Sequence, residues 1–140
     1  MPQTQRKESP TAASAMGSHG SFCWNELRTQ DVARAKKFYA DTIGWTYDAM
    51  PADWGTYWIA KAGDKMAGGL VEMPGTDCKD MPEHWLPFLA VDDVDARLKK
   101  ALAGGASVIR EPFDVEGVGR IAILREPGGA AVGWMTPAKS

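Results

Sequence analysis

The feature that most constrains this chain is a phrase written twice. Residues 27–39 read LRTQDVARAKKFY and residues 88–100 read FLAVDDVDARLKK. Each is the end of an apolar strand, an Asp suited to capping a helix, and a run with apolar residues at helical spacing. In the first copy Asp31 is the expected N-cap, Val32, Ala35, Phe38 and Tyr39 form the stripe, and Gly44 stops the helix. In the second, Asp93 caps, Val94, Leu98, Ala101 and Leu102 share a face, and Gly104 and Gly105 end the helix.

The segments flanking each helix repeat as well. Strands are expected at 46–49, 56–61 and 67–73 in the first half, after a strand over 22–29. In the second half, a strand over 85–91 precedes the helix, and strands near 107–111, 120–124 and 130–136 come after it. The stretches PADWG and AGDK read as turns, and Glu126-Pro127-Gly128-Gly129 has the order of a type II turn. The predicted class is α+β, built from two tandem βαβββ modules over about 21–75 and 84–136. One such module leaves an apolar sheet face open, so two are expected to form curved mixed sheets around a cleft.

Length and charge remove whole classes of function. At 140 residues a single domain over 21–140 is expected, and a net charge of −2 offers nothing to a polyanion, so nucleic acid is not an expected partner. The apolar run over 85–91 is far shorter than the roughly 20 residues of a membrane helix, so no membrane association is expected. Residues 1–20 lack periodicity and are expected to be a disordered N-terminal tail, with Met16 a possible alternative start and His19 part of it. Cys23 and Cys78 have no CxxC spacing and come after no apolar signal, so no disulfide framework is expected and the setting is read as cytoplasmic. Cys23 reads as a core residue, and Cys78 as a thiol in a polar loop.

With that layout in view, WNELRTQDVARAKKFYADTIGW resembles the opening of a module in the vicinal oxygen chelate superfamily. That superfamily includes glyoxalase I, bleomycin-resistance proteins, fosfomycin-resistance enzymes and extradiol dioxygenases. FLAVDDVDARLKKALAGGASVIREP, with GRIAILREPGGAAVGW after it, is similar to the second module. The likeness spans about residues 21–136. It implies the fold named above and, in the family's enzymes, one divalent ion held by four side chains, two from each module. Carried over position by position, those ligands fall on Trp24, Glu72, Leu86 and Gly133. Only Glu72 retains a donor of the family's type.

A shifted site of His84, Glu72 and Glu26 is the alternative, because His84 shares strand parity with Leu86, and Glu26 with Trp24. The expectation is otherwise no cofactor. The resemblance points Glu72 inward, where Arg120 would be its charge partner. Among six tryptophans, Trp45 and Trp134 read as packing residues, Trp54 as a cover for a cleft mouth or a local plug, and Trp24 as an indole in the cleft.

The expected function is metal-independent binding of a small apolar or aromatic compound by a glyoxalase and bleomycin-resistance type protein. Trp24, Tyr57, Leu86 and Phe88 would supply contact area, and Glu26, Glu72 or Arg120 would orient a polar group. One alternative is a degenerate enzyme (lyase, isomerase or dioxygenase) in which Glu72 moves a proton, with or without a divalent ion. Another is a homodimeric interaction module without catalysis. No dinucleotide fingerprint or serine-hydrolase set is present, since Gly117-Val118-Gly119 does not open a helix and the domain holds one histidine, His84.

Overall fold

The computed structural model describes residues 17–73 and 82–138; Met16 and Cys78, with the tail up to residue 16, lie outside them. In chain order the elements are β1 (Phe22–Thr29), α1 (Val32–Ile43), β2 (Thr46–Ala52), β3 (Gly55–Ala62), β4 (Lys65–Glu72), β5 (His84–Ala90), α2 (Val94–Ala103), β6 (Ser107–Val115), β7 (Gly119–Arg125) and β8 (Ala131–Pro137). Strand, helix and three strands thus occur twice, as the α+β reading requires. Several strands run past their predicted ends. The chain falls into two compact units, cut within β1 and β5: Trp24–Phe88 is one, and the residues up to Cys23 with those from Leu89 onward are the other.

In the Trp24–Phe88 unit the strand order is β2-β3-β4-β1-β5. β1 lies parallel to β4, a pairing that needs a long crossover, and α1 is part of it. The Asp31 carboxylate accepts the Arg34 amide at 3.0 Å, satisfying one of the free N–H groups of the first turn. At the other end Gly44, with φ of 80°, takes the left-handed conformation that stops the helix, and its N–H reaches Ala40 O. Ala35 of α1 packs with Leu27, Ala60 and Leu70 from the sheet, and Tyr39, Trp45, Tyr47 and Trp58 close around them. Leu70 is fully buried, which stabilises by about 1.5–3 kcal/mol.

The second unit orders its strands β8-β7-β6, each pair antiparallel. α2 starts at Asp93, whose side chain accepts the Ala96 amide at 3.1 Å. A second device holds the same turn: Thr136 Oγ1 accepts the Val94 amide and donates to Val91 O, both at 3.0 Å. Val91, Val94 and Ala122 form a core cluster with Trp134 against it, so Trp134 packs as expected.

Two local expectations change. The tail does not run to Gly20: Gly20 N–H donates to Ala90 O and the Ala90 amide to Ser21 O. His19 is held too, its Nδ1 accepting the Asp92 amide at 3.0 Å. The turn at 126–129 is not type II. It closes through Gly129 N–H to Glu126 O, but the positive φ, 98°, is at Gly129 and not at Gly128. A type II turn needs it at Gly128, whereas a type I turn with a left-handed glycine after it needs it at Gly129.

Candidate functional site

Period-two alternation along β1 separates two sets of side chains. Leu27 turns toward α1, so Trp24, Glu26 and Arg28 belong to the opposite face of the sheet. Tyr57 on β3 joins them there. Trp24 Nε1–H donates to Tyr57 Oη at 2.8 Å, and Tyr57 O–H donates to Glu26 Oε1 at 3.0 Å. The phenol oxygen therefore accepts one bond and donates one. Burial, and after it the charge of Glu26, push the Tyr57 phenol far above the usual tyrosine range, so it stays neutral and a donor.

The chain makes room for this hydroxyl with a glycine. Gly69 sits between Glu26 on β1 and Ile59 on β3, and a Cβ there would lie 1.8 Å from Tyr57 Oη. Gly68 answers a different need. Its Cβ would come within 2.8 Å of the Asn25 backbone oxygen, so the two glycines admit a side chain and a neighbouring strand respectively. Arg28 completes the polar group, with its Nη1 4.0 Å from Glu26 Oε2. Both side chains are largely buried, 12% exposed for Arg28 and 14% for Glu26.

Two more predicted residues approach from β5. Trp85 projects to the α1 side, where its indole N–H donates to Tyr39 Oη at 3.1 Å and its ring meets Trp45. Alternation then assigns His84, Leu86 and Phe88 to the face of Trp24 and Glu26. Leu86 and Phe88 are buried and present no open surface. Trp54 is 63% exposed in the turn between β2 and β3 and plugs nothing.

Glu72 stands apart from this group. The β1–β4 register pairs Glu26 with Gly69 and Thr29 with Glu72, so Glu72 shares the α1-side parity of Leu27, Leu70 and Thr29. It is exposed there, at the end of β4. Arg120 in the second unit is engaged elsewhere: its Nε donates to Asp95 Oδ2 at 2.7 Å, and its Nη1 is 3.2 Å from Asp114 Oδ1. The structure brings together Trp24, Glu26 and Tyr57, with Leu86 and Phe88 on the same face, and does not bring Glu72 to them.

The family's metal chemistry meets an unsuitable donor set. At its four positions the Trp24 indole N–H is committed to Tyr57, Leu86 and Gly133 have no donor atom, and Glu72 faces away. The shifted trio fares no better, since Glu72 and Glu26 lie on opposite faces and His84 Nδ1 is 2.8 Å from Pro82 O. Among the described residues no three His, Cys, Asp or Glu side chains converge in a metal-holding group. These residues do not fit a divalent ion.

Arg28 and Gly69 are the site residues that the sequence did not single out. Arg28 carried a signal, for it continues the period of Trp24 and Glu26. Gly69 carried a weaker one, a glycine pair inside an apolar strand.

Comparisons with known proteins agree with this architecture. A protein called "Putative glyoxylase CFP32" from Mycobacterium bovis is 41% identical over 129 residues, covering 90% of this chain and 48% of that protein. The anthracycline biosynthesis protein DnrV of Streptomyces peucetius is 32% identical over 124 residues, covering 80% and 45%. The chain thus spans about half the length of these curated relatives. Among solved structures, methylmalonyl-CoA epimerase from Mycobacterium tuberculosis superposes with a TM-score of 0.60 at 15% identity, covering 85% of this chain and 89% of that one. That likeness concerns the fold alone. A family model matches residues 21–133, nearly the whole of the repeat, and on that ground the chain belongs to the Glyoxalase/Bleomycin resistance protein/Dioxygenase superfamily.

Proposed function

We propose that this protein binds a small planar aromatic compound without a metal ion, on the sheet face that carries Trp24, Tyr57 and Glu26. The observation behind this reading is the Trp24–Tyr57–Glu26 chain of hydrogen bonds, which fixes an indole and a phenol in place before any compound arrives. Aromatic side chains held in one rotamer give contact area at little entropic cost. Glu26 and Arg28 supply the few polar atoms that orient a guest. The name of the Streptomyces relative, an anthracycline biosynthesis protein, is in keeping with a polycyclic aromatic guest.

Calorimetric titration with naphthalene and anthraquinone compounds tests the reading. Trp24→Ala should weaken binding by about tenfold, the effect of losing one well-placed aromatic contact. Unchanged affinity in that variant removes Trp24 from the site, and no heat with any compound removes the binding reading itself.

A second reading is metal-free proton transfer, and the carboxylate placed for it is Glu26, not Glu72, since Glu26 is the one on the aromatic face. A reaction that survives Glu26→Gln with an unchanged pH–rate profile would defeat it.

A further inference from the structure

The sheet face that carries Trp24, Glu26 and Tyr57 continues past Tyr57 to the edge strand β2. Residues directly opposite each other in an antiparallel pair share a face, and the β2–β3 register sets Met50 opposite Tyr57 and Asp48 opposite Ile59. Met50 therefore stands on the aromatic face, one strand beyond Tyr57 and on the side away from Trp24. It is 48% exposed, an apolar side chain with about half of its surface in water.

Gly69 keeps the way across β4 low. It is the β4 residue between Glu26 and Ile59, it has no side chain, and the Tyr57 phenol reaches over it. With neighbouring strands about 4.8 Å apart, the backbones of β1 and β2 are roughly 14 Å from each other measured along the face. A planar guest lying on Tyr57 with one end against the Trp24 indole has its other end directed at β2. Two fused rings reach Trp24 and Tyr57; a third ring in line reaches Met50. Methionine suits that position, because its thioether is flexible and polarizable and its sulfur makes favourable contacts with aromatic rings. Along β2 and β3 from Met50 the face turns polar, for Asp48 Oδ2 and Lys61 Nζ are 3.4 Å apart there.

Resting on the proposed aromatic binding, we infer that Met50 is a further contact residue of that site and sets its preference for the length of the guest. The class selected is a linear arene of three fused rings, lying across the strands from Trp24 over Tyr57 to Met50, in preference to one of two rings.

Naphthalene-2-sulfonate and anthracene-2-sulfonate, matched in charge and differing by one ring, test this by calorimetry on the intact chain. The wild-type protein should bind the anthracene compound at least about tenfold more tightly, the effect of one more ring removed from water. Met50→Ala should weaken the anthracene compound by about fivefold and leave the naphthalene compound unchanged. Phe38→Ala removes an exposed aromatic side chain from α1, on the opposite side of the sheet, and should change neither affinity. Equal affinities in the wild type, or an anthracene affinity indifferent to Met50→Ala, overturn the length reading and leave aromatic binding standing. So does a loss in Met50→Ala that is the same for both compounds, or a matching loss in Phe38→Ala. Absence of binding by either compound overturns both readings. Truncating a half-exposed side chain opens no core cavity, so the Met50 variant keeps the fold. The comparison between compounds on the unaltered protein depends on no variant.

Discussion

The two halves begin with the same strand, cap and helix but surround their polar side chains differently. In the Trp24–Phe88 unit, hydrogen bonds run through the largely buried Trp24, Tyr57 and Glu26 side chains, and Gly69 leaves the space they need. In the other unit the ion pairs Arg120–Asp95, Arg120–Asp114 and Arg97–Asp92 lie on the outside, and the hydroxyl of Thr136 anchors the start of a helix. Low dielectric makes a buried polar network costly to disturb, while exposed pairs are screened by water and salt. A duplicated scaffold can therefore bury a polar network in one copy and keep its charged pairs at the surface in the other.

Substitutions should respond in that order. Gly69→Ala should be the most damaging, because the new methyl group overlaps the Tyr57 hydroxyl; a loss of about 2–3 kcal/mol in denaturant unfolding is expected from overpacking. A loss near zero would mean that the Tyr57 ring moves aside freely, and the buried network would not then be rigid. Tyr57→Phe comes next. It leaves the Trp24 N–H and Glu26 short of a partner each, and should cost about 1–3 kcal/mol.

The same residue gives an alkaline signature. The folded protein holds the Tyr57 phenol above its ordinary value of 10, so its contribution is complete below that pH and declines as pH rises beyond it. Wild-type stability should fall more steeply above about pH 10 than that of Tyr57→Phe. Parallel curves would show that the phenol's surroundings do not distinguish its two charge states.

The smallest effects belong to the second unit. Hydrogen bonds from Arg97, chiefly, hold the exposed Asp92 carboxyl down from 3.8 to about 2. A depressed carboxyl stabilises above its unfolded value, and that contribution is lost as pH falls from 3.8 toward 2. Asp92→Asn should flatten the acid limb of a melting-temperature profile only slightly, because the pair is solvated. Arg120→Ala should shift the melting temperature little for the same reason. A large loss in either variant would break the contrast between the halves.

Local chemistry in the sequence was enough for the elements. Asp31 and Asp93 cap the two helices, Gly44 and Gly104 terminate them, and the β1 boundaries agree from end to end. These features depend on neighbours a few residues away. Strand parity linked Glu26 to Trp24, and Tyr57 was named as a contact residue without either argument; the hydrogen bonds that join the three were not legible. Glu72 was misplaced because its facing depends on the register between β1 and β4, which long-range pairing sets and where one residue of slip reverses every side chain. Arg120 was assigned the wrong partner for a related reason: Asp95 is on α2 and Asp114 on β6, and no local period links either to β7. The turn at 126–129 failed on a finer point, since Gly128 and Gly129 are both glycine and only the backbone shows which one is left-handed.

The close approach of Gly69 to Tyr57 also bears on how such a chain can change over time. A side chain at position 69 and a phenol at position 57 exclude one another, so position 69 stays glycine for as long as position 57 carries the tyrosine. An alanine at 69 would be tolerated beside a smaller residue at 57, and reversion would have to undo both. The two positions are therefore coupled, and the double variant Gly69→Ala/Tyr57→Ala should recover part of the stability that the single glycine change removes.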